Sequence, residues 1–218
     1  MFRFEKDMIP VLREHLSLIY NTEHFVEEFS SGLGIADLVF TTKKVDVRDK
    51  LVDYESMYYI LNYFNNINHI IIPADLISKY NLKKGKFCDV IRLLKGLNCI
   101  VEYTEGQFIV ERNYKPCLYD LNSIEAKLGD WKKGFYQALR YKHYSHKCFL
   151  AISYEYAHRV DKNLLKTNNV GLISVFPTKI EILFDPIKEE PVNKTAFYYL
   201  SESFASKLGK FQFEYQVS

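Results

Sequence analysis

Hydrophobic residues recur at helical spacing near the start of the chain and then alternate with polar residues. The first pattern predicts a helix from about residue 5 or 7 to residue 20, since its apolar positions share one face. These positions are Phe4, Met8, Leu12, Leu16 and Ile19. Pro10 is tolerated if it lies in the first turn of this helix. The stretches 24–29 and 34–42, separated by Ser-Ser-Gly-Leu-Gly, predict two strands joined by a turn.

Buried strands and helices alternate in the C-terminal half. A short apolar strand over 121–128 precedes a helix that begins near Trp131, and the apolar run at 147–154 predicts a buried, parallel strand. A helix over 154–169, a buried strand over 170–176, an edge strand from 178 and a closing helix over 194–208 follow. This alternation predicts an α/β protein built on a central sheet.

The middle segment, 47–116, has its own pattern of elements. We predict a helix over 54–64, a short strand followed by a helix from about 73 or 74 to 80, and a helix ending at Gly96. Two alternating runs joined at Glu105-Gly106 then predict a hairpin. The order helix, strand, helix, helix, hairpin resembles a winged helix-turn-helix module. Such modules contact DNA through the third helix or mediate protein contact and dimerisation, and both uses stay open.

Composition and charge exclude several classes of protein. The chain has 218 residues, 48% apolar and 26% charged, with a net charge of +2, which is typical of a globular protein and gives no overall polyanion signature. Apolar runs too short for a bilayer and a charged N-terminus predict no membrane association and cytoplasmic residence. The four cysteines lack the spacing of a zinc site or disulfide framework. His143 and His146 are predicted in a solvated loop.

The 121–128 strand carries two opposite charges. Because side chains alternate along a strand, Glu125 and Lys127 project to one side, whereas Ile124, Ala126 and Leu128 project to the other. Asp130 is a candidate cap for the following helix. On that helix Gln137 and Tyr141 share one stripe, separate from the apolar stripe of Trp131, Phe135 and Leu139.

Glu-x-Lys on a strand, followed by a helix with Gln-x-x-x-Tyr, resembles the PD-(D/E)xK nuclease superfamily and especially its RecB-like and Holliday-junction-resolvase-like branches. The resemblance implies a restriction-endonuclease-like mixed central sheet flanked by helices. It also implies that Asp37, in Gly-Ile-Ala-Asp-Leu-Val-Phe, is the first metal ligand, with Ala36 standing where the family name has proline. Asp37 and Glu125 are 88 positions apart, so the implied nuclease-like domain is 1–46 with 117–218, and 47–116 is an inserted winged-helix-like domain.

The resemblance assigns a role to each residue of the implied centre. Asp37, Glu125 and the Ala126 carbonyl would hold Mg²⁺ or Mn²⁺, with Glu5 or Glu14 of the first helix as a further ligand. Lys127 would stand beside the attacking water. Gln137 and Tyr141 would flank substrate or metal-bound water.

Basic residues occur in two groups suited to phosphate contact. The first, on the third helix of the insert and its lead-in, is Lys83, Lys84, Lys86, Arg92 and Lys95. The second, beside the implied centre, includes Lys132, Lys133 and Arg140. A solvated face would explain the first group equally well.

The resemblance thus implies a Mg²⁺-dependent deoxyribonuclease with a winged-helix insertion that assists DNA binding. The alternative is a catalytically inactive protein with the nuclease fold that binds DNA or has a regulatory role. Glu125 and Lys127 would then form only a same-face ion pair of small energetic value. A protein-interaction module that forms a homodimer is a third hypothesis.

Overall fold

A six-stranded mixed sheet lies at the centre of the larger of two compact units in this computed structural model. The larger unit combines Met1–Asp49 with Cys117–Ser218, and the smaller unit is Lys50–Pro116. The structure describes residues 1–46 and 51–214, with side chains described as far as residue 209. The inserted domain expected at 47–116 covers the smaller unit and three residues before it.

The elements of the larger unit begin with a 3-10 turn at Glu5–Met8. In chain order they continue as α1 (Ile9–Tyr20), β1 (Phe25–Ser30) and β2 (Ile35–Phe40). The smaller unit contains α2 (Tyr54–Tyr63), β3 (Ile70–Ile71), α3 (Pro73–Tyr80), α4 (Lys84–Gly96), β4 (Ile100–Thr104) and β5 (Gln107–Val110). The larger unit resumes with β6 (Asn122–Lys127), α5 (Trp131–Tyr141), β7 (Lys147–Ser153), α6 (Lys162–Thr167), β8 (Gly171–Val175), β9 (Ile180–Phe184) and α7 (Lys194–Glu214).

The central sheet has the order β1-β2-β6-β7-β8-β9. Its β1-β2, β2-β6 and β8-β9 pairs are antiparallel, and β6-β7 and β7-β8 are parallel. The prediction of an α/β protein with a mixed central sheet flanked by helices is confirmed. The predicted parallel strand at 147–154 and edge strand from 178 are confirmed as β7 and β9. No helix in the described part of the chain is both long and apolar enough to cross a membrane.

The two faces of β6 pack against different helices. Ile124 and Ala126 lie in a buried cluster with Leu12 and Leu16 of α1. The opposite face lies against α5, whose Phe135 and other apolar residues pack in a second cluster. All six residues of β6 are buried, so both faces of this strand are covered and its charged residues lie inside the protein.

A carboxylate fixes the ends of β2 and β6 against each other. Asp120, which is 6% exposed, accepts hydrogen bonds from the hydroxyls of Thr41 and Thr42, each at 2.6 Å. Next to this contact Phe40 pairs with Asn122 in the antiparallel ladder. In two hydrogen-bonded strands, the pairing of one residue fixes the pairing of the residues that follow. This contact therefore helps to determine which residue of β2 lies beside Glu125.

The predicted helix over 154–169 is wrong in its first half. The structure has a short 3-10 turn at Ala157–Arg159 and a helix only from Lys162. Asp161 begins that helix, since its side chain accepts hydrogen bonds from two backbone N–H groups of the first turn, and Val160 before it is extended. A residue at an N-cap has non-helical backbone angles, so Asp161 interrupts the helix that was predicted over 154–169.

His146 is also not in a solvated loop. It is 5% exposed, its Nδ1 accepts a hydrogen bond from the Leu121 N–H, and its ring meets Phe197 of α7 edge-on at 4.7 Å. His146 lies in a polar stretch of the sequence, and it is buried because Phe197, which is distant in sequence, packs against it.

The smaller unit has a three-stranded antiparallel sheet, ordered β3-β5-β4, together with α2, α3 and α4. Its core includes Phe64 of the α2 end and Phe87 of α4, with ring centroids 5.3 Å apart. The element order is the one predicted from the sequence. Asp53 caps α2 by accepting the Ser56 N–H and also pairs with Lys86.

Gly134 lets α5 approach the sheet closely, which gives a first prediction. A Cβ at this position would lie 2.6 Å from Leu150 Cδ1 and 2.8 Å from Lys127 Cγ. Such overlap in a packed interior has to be relieved by side-chain or backbone shifts. We expect Gly134→Ala to lower the free energy of unfolding by about 1–3 kcal/mol, measured by chemical denaturation.

Gly85→Ala is the matched control, because Gly85 also lies in a helix but a Cβ added there would meet no neighbouring atom within 4 Å. We expect that change to be neutral or to stabilise by up to about 1 kcal/mol. Equal effects of the two substitutions would contradict close packing of α5 on β6.

Candidate active site

Asp37 on β2 contacts the backbone of β6. Leu38 pairs with Ile124 across the antiparallel ladder, so Asp37 is the residue of β2 level with Glu125. The Asp37 Oδ2 accepts a hydrogen bond of 2.7 Å from the Ala126 N–H. Two positions that are 88 residues apart in sequence are therefore neighbours in the sheet.

Lys127 is the centre of a buried cluster of charges. Its Nζ donates to Glu125 Oε1 at 2.6 Å, to the Ala126 carbonyl at 2.9 Å and to Glu5 Oε2 at 3.3 Å. The side chains of Lys127 and Glu125 are 8% and 2% exposed, whereas that of Glu5 is 44% exposed. An ammonium group has three protons, so these three acceptors use its full donor capacity.

The second oxygen of Glu125 faces α5. Tyr141 is fully buried, and its hydroxyl lies 2.5 Å from Glu125 Oε2 and 2.7 Å from the Ile35 carbonyl. A hydroxyl has one proton to donate, so these two acceptors share it. Asp130 begins α5 as predicted, because its side chain accepts the Lys133 N–H. The cap and the close approach at Gly134 together place Tyr141 over β6.

The cluster contains more negative than positive charge. Asp37, Glu125 and Glu5 supply carboxylates, against the single ammonium group of Lys127. Burial, followed by the charges of Glu125 and Glu5, raises the pKa of Asp37 to about 6, and the Ala126 N–H and Lys127 oppose this rise. Excess negative charge of this kind favours binding of a cation.

The same charges hold two other groups in their protonated forms. Burial lowers the pKa of Lys127, but its hydrogen bond to Glu125 and the nearby carboxylates outweigh burial, and the net shift is upward. Burial and the hydrogen bond to Glu125 raise the pKa of Tyr141 well above its usual range. Lys127 is therefore an ammonium group and Tyr141 a neutral hydroxyl near pH 7.

The residues brought together are Asp37, Glu125, Ala126, Lys127, Tyr141 and Glu5. Gln137 lies one turn before Tyr141 on α5, and its buried Oε1 has no hydrogen-bond partner among the described residues. Glu14, the other first-helix candidate, is exposed. Two backbone groups of the cluster were not suggested by the sequence, the Ile35 carbonyl beside Tyr141 and the Leu128 N–H, which donates to Glu5 Oε1 at 3.4 Å. Backbone donors and acceptors have no sequence signal.

The donor atoms of this cluster are the hard oxygens that Mg²⁺ and Mn²⁺ prefer. Their charge also fits, since a divalent cation would balance the excess of carboxylates. Both oxygens of Glu125 are already engaged, and no set of three or more His, Cys, Asp or Glu side chains in the described residues converges on one point. Each Glu125 oxygen keeps a second lone pair, so an ion bound between Asp37 and Glu125 would share these oxygens with the hydrogen bonds from Lys127 and Tyr141.

The two groups of basic residues differ in their ion pairing. On the smaller unit, Lys83, Lys86, Arg92 and Lys95 pair with Glu55, Asp53, Asp89 and Glu102, which leaves Lys84 exposed without an ion pair among the described residues. Lys132, Lys133 and Arg140 are exposed on α5, and the described part of the chain gives them no acidic partner. The α5 cations are therefore the freer of the two groups to meet phosphates.

Comparison with known proteins leaves the family open. No family model and no curated protein matches this chain. Among solved structures, a protein of unknown function from Silicibacter pomeroyi is similar, with 11% identity and a TM-score of 0.47 over 94% of this chain and 86% of that chain.

The raised pKa of Asp37 predicts a pH dependence of stability. The ordinary value is 3.8 and the folded value about 6, so between them the folded protein holds a proton that the unfolded chain has released. Stability is then lost as the pH rises from about 4 to about 6. In metal-free buffer we expect Asp37→Asn to remove this part of the pH dependence, at most about 3 kcal/mol, measured by denaturation at each pH.

Asp185→Asn is the matched control, since Asp185 pairs with Lys147 at the opposite edge of the same sheet. That variant should keep the wild-type pH profile. If Asp37→Asn also kept the wild-type dependence of stability on pH, that result would contradict the conclusion that the Asp37 carboxylate is incompletely compensated in the folded protein.

Proposed function

We propose that this protein is a metal-dependent nuclease of the PD-(D/E)xK type that hydrolyses phosphodiester bonds in DNA. The observation that carries the proposal is the contact between β2 and β6, which joins Asp37, Glu125 and Lys127 in one bonded cluster. The sequence resemblance assigned these three residues to one centre, and their charge imbalance suits a divalent cation.

The order of elements supports a restriction-endonuclease-like fold for the larger unit. Helix α1, the antiparallel strands β1, β2 and β6, helix α5 and the parallel strand β7 follow one another, with the inserted unit between β2 and β6. This is the arrangement that the resemblance leads one to expect around an aspartate and a Glu-x-Lys strand.

Each residue of the cluster has a role in the proposed reaction. Asp37, Glu125 and the Ala126 carbonyl, with Glu5 as a further ligand, would hold Mg²⁺ or Mn²⁺. When bound, the ion would neutralise phosphate charge and lower the pKa of a water molecule. Lys127, kept as an ammonium group, would orient the attacking water and stabilise the negative charge that develops on the phosphate, rather than act as a base. Tyr141 would orient Glu125, and the free Gln137 Oε1 would accept a hydrogen bond from substrate or water.

The smaller unit would assist DNA binding as a winged helix-turn-helix. Its helices and three-stranded sheet support this assignment, but most cations of α4 and its lead-in are paired with acids of the same unit. Lys84 would therefore contribute the most direct phosphate contact from α4. Lys132, Lys133 and Arg140 of α5, in the same unit as the proposed centre, would also bind phosphates.

The hydrogen bonds of Glu125 favour a second candidate function. In this candidate the protein has the nuclease fold but is catalytically inactive, and it binds DNA or has a regulatory role. Lys127 and Tyr141 occupy both oxygens of Glu125, which is the arrangement expected if the charges only stabilise the fold. This candidate predicts DNA binding without cleavage in Mg²⁺ or Mn²⁺.

Substitution of Lys127 tests the nuclease proposal. We expect the wild type to cleave at least one of linear, circular and branched DNA in Mg²⁺. Lys127→Ala should cleave about 10²–10³-fold more slowly, because removal of one group that stabilises the transition-state charge costs this much. Rates are measured from labelled substrates on denaturing gels, after thermal unfolding has confirmed that the variant folds.

Lys147→Ala is the matched control, since Lys147 is a strand lysine paired with Asp185, and it begins β7 whereas Lys127 is level with Ile152 near the other end of that strand. It should cleave at the wild-type rate. Equal rates for Lys127→Ala and Lys147→Ala would refute the proposed centre.

A further inference from the structure

Strands β6, β7 and β8 are parallel, so their C-terminal ends lie at the same end of the sheet, next to the cluster. Lys127 is paired with Ile152 of β7, and Ile152 with Ser174 of β8, so these three residues form one level row. Side chains alternate along a strand, so residues two positions beyond this row lie on the face that carries Lys127. On β7 and β8 those residues are Tyr154 and Phe176.

Tyr154 and Phe176 form a stacked pair at this edge. The Tyr154 N–H donates to the Val175 carbonyl, which continues the β7-β8 pairing one step past the strands. The two ring centroids are 4.7 Å apart and the ring planes are 18° from parallel. The Phe176 N–H donates to the Lys179 carbonyl at 2.8 Å, and the resulting turn places Lys179 Nζ 4.6 Å from the centre of the Phe176 ring.

We call Tyr154, Phe176 and Lys179 the aromatic platform. Lys179 and Phe176 form its back, and Tyr154, which is 37% exposed, forms its front. Phe176 stacks on one face of the Tyr154 ring, and the exposed part of Tyr154 is the surface left for a ligand. The residue level with Tyr154 beyond the end of β6 is Gly129, and the Tyr156 ring lies over it, since a Cβ there would be 3.3 Å from Tyr156 Cγ.

Tyr154 lies close to the charged cluster. Adjacent strands are separated by about 4.8 Å, and two residues along a strand span about 6.6 Å, so Tyr154 lies roughly 8 Å from the Lys127 backbone. A nucleic-acid strand whose base stacks on Tyr154 would therefore pass close to Lys127.

The charges around the platform suit a strand whose bases stack and whose phosphates face outward. Arg159 lies 4.9 Å from the Tyr156 ring centre, and Lys132 and Lys133 are exposed at the start of the neighbouring α5. Glu181 pairs with Lys179 at 2.6 Å and offsets its charge. The platform itself is therefore nearly neutral, and stacking would contribute more to binding there than ion pairing.

We infer that the aromatic platform stacks an unpaired nucleobase, and that the substrate class is single-stranded nucleic acid or a duplex with an unpaired segment at the cleavage site. The inference rests on the proposed nuclease function for its link to cleavage. Base stacking itself is a binding property and is measured without cleavage.

The test measures anisotropy of a labelled short oligothymidine strand and of an abasic strand of equal length, in EDTA to prevent cleavage. We expect the wild type to bind oligothymidine at least about tenfold more tightly than the abasic strand, as one base stack gives. Tyr154→Leu and Phe176→Leu should lose most of this preference while binding the abasic strand as before. Tyr154→Phe should keep it, because the stacking ring remains.

Tyr119→Ala is the control, since Tyr119 is 52% exposed and is not part of the platform. It should bind both strands like the wild type. Equal binding of oligothymidine and the abasic strand by the wild type, or a full preference in Tyr154→Leu, would overturn the inference. Loss of the preference in Tyr154→Leu together with equal cleavage by wild type and Lys127→Ala would refute the catalytic centre but leave the stacking site standing.

Discussion

The buried ammonium group of Lys127 is the interaction on which this part of the molecule depends. It donates to Glu125, to the Ala126 carbonyl and to Glu5, and so joins β6 to the turn that precedes α1. Removing a buried charge from its partners is costly, because the remaining charge loses both water and its counterion. Yet the ammonium balances only part of the nearby negative charge, and burial, followed by the charges of Glu125 and Glu5, raises the pKa of Asp37. The cluster is therefore held together and at the same time favours a further cation.

Sheet topology determines what surrounds this cluster. Antiparallel pairing of β2 with β6 places Asp37 beside Glu125, and parallel pairing of β6, β7 and β8 brings three strand ends to the same edge. Side-chain alternation then places Tyr154 and Phe176 on the face of Lys127. The close approach at Gly134 places α5, with Tyr141 and its exposed cations, over the same face. The charged cluster, the aromatic platform and the basic residues of α5 thus lie near the same end of one sheet.

Much of the fold follows from local sequence. Periodic apolar positions locate α1, strand alternation separates the faces of β6, and Asp130 marks the start of α5. Long-range register does not follow in this way. The pairing of Asp37 with the Ala126 N–H is set by ladder contacts such as Thr41 with Asp120, which join residues far apart in sequence. The buried position of His146 and the break before Asp161 likewise depend on a distant ring and on a cap.

Diffraction from crystals grown in Mn²⁺ and measured at the manganese absorption edge tests the central claim most directly. The account predicts one anomalous peak within about 2–2.5 Å of carboxylate oxygens of both Asp37 and Glu125. Saturating Mn²⁺ without a peak there would contradict it.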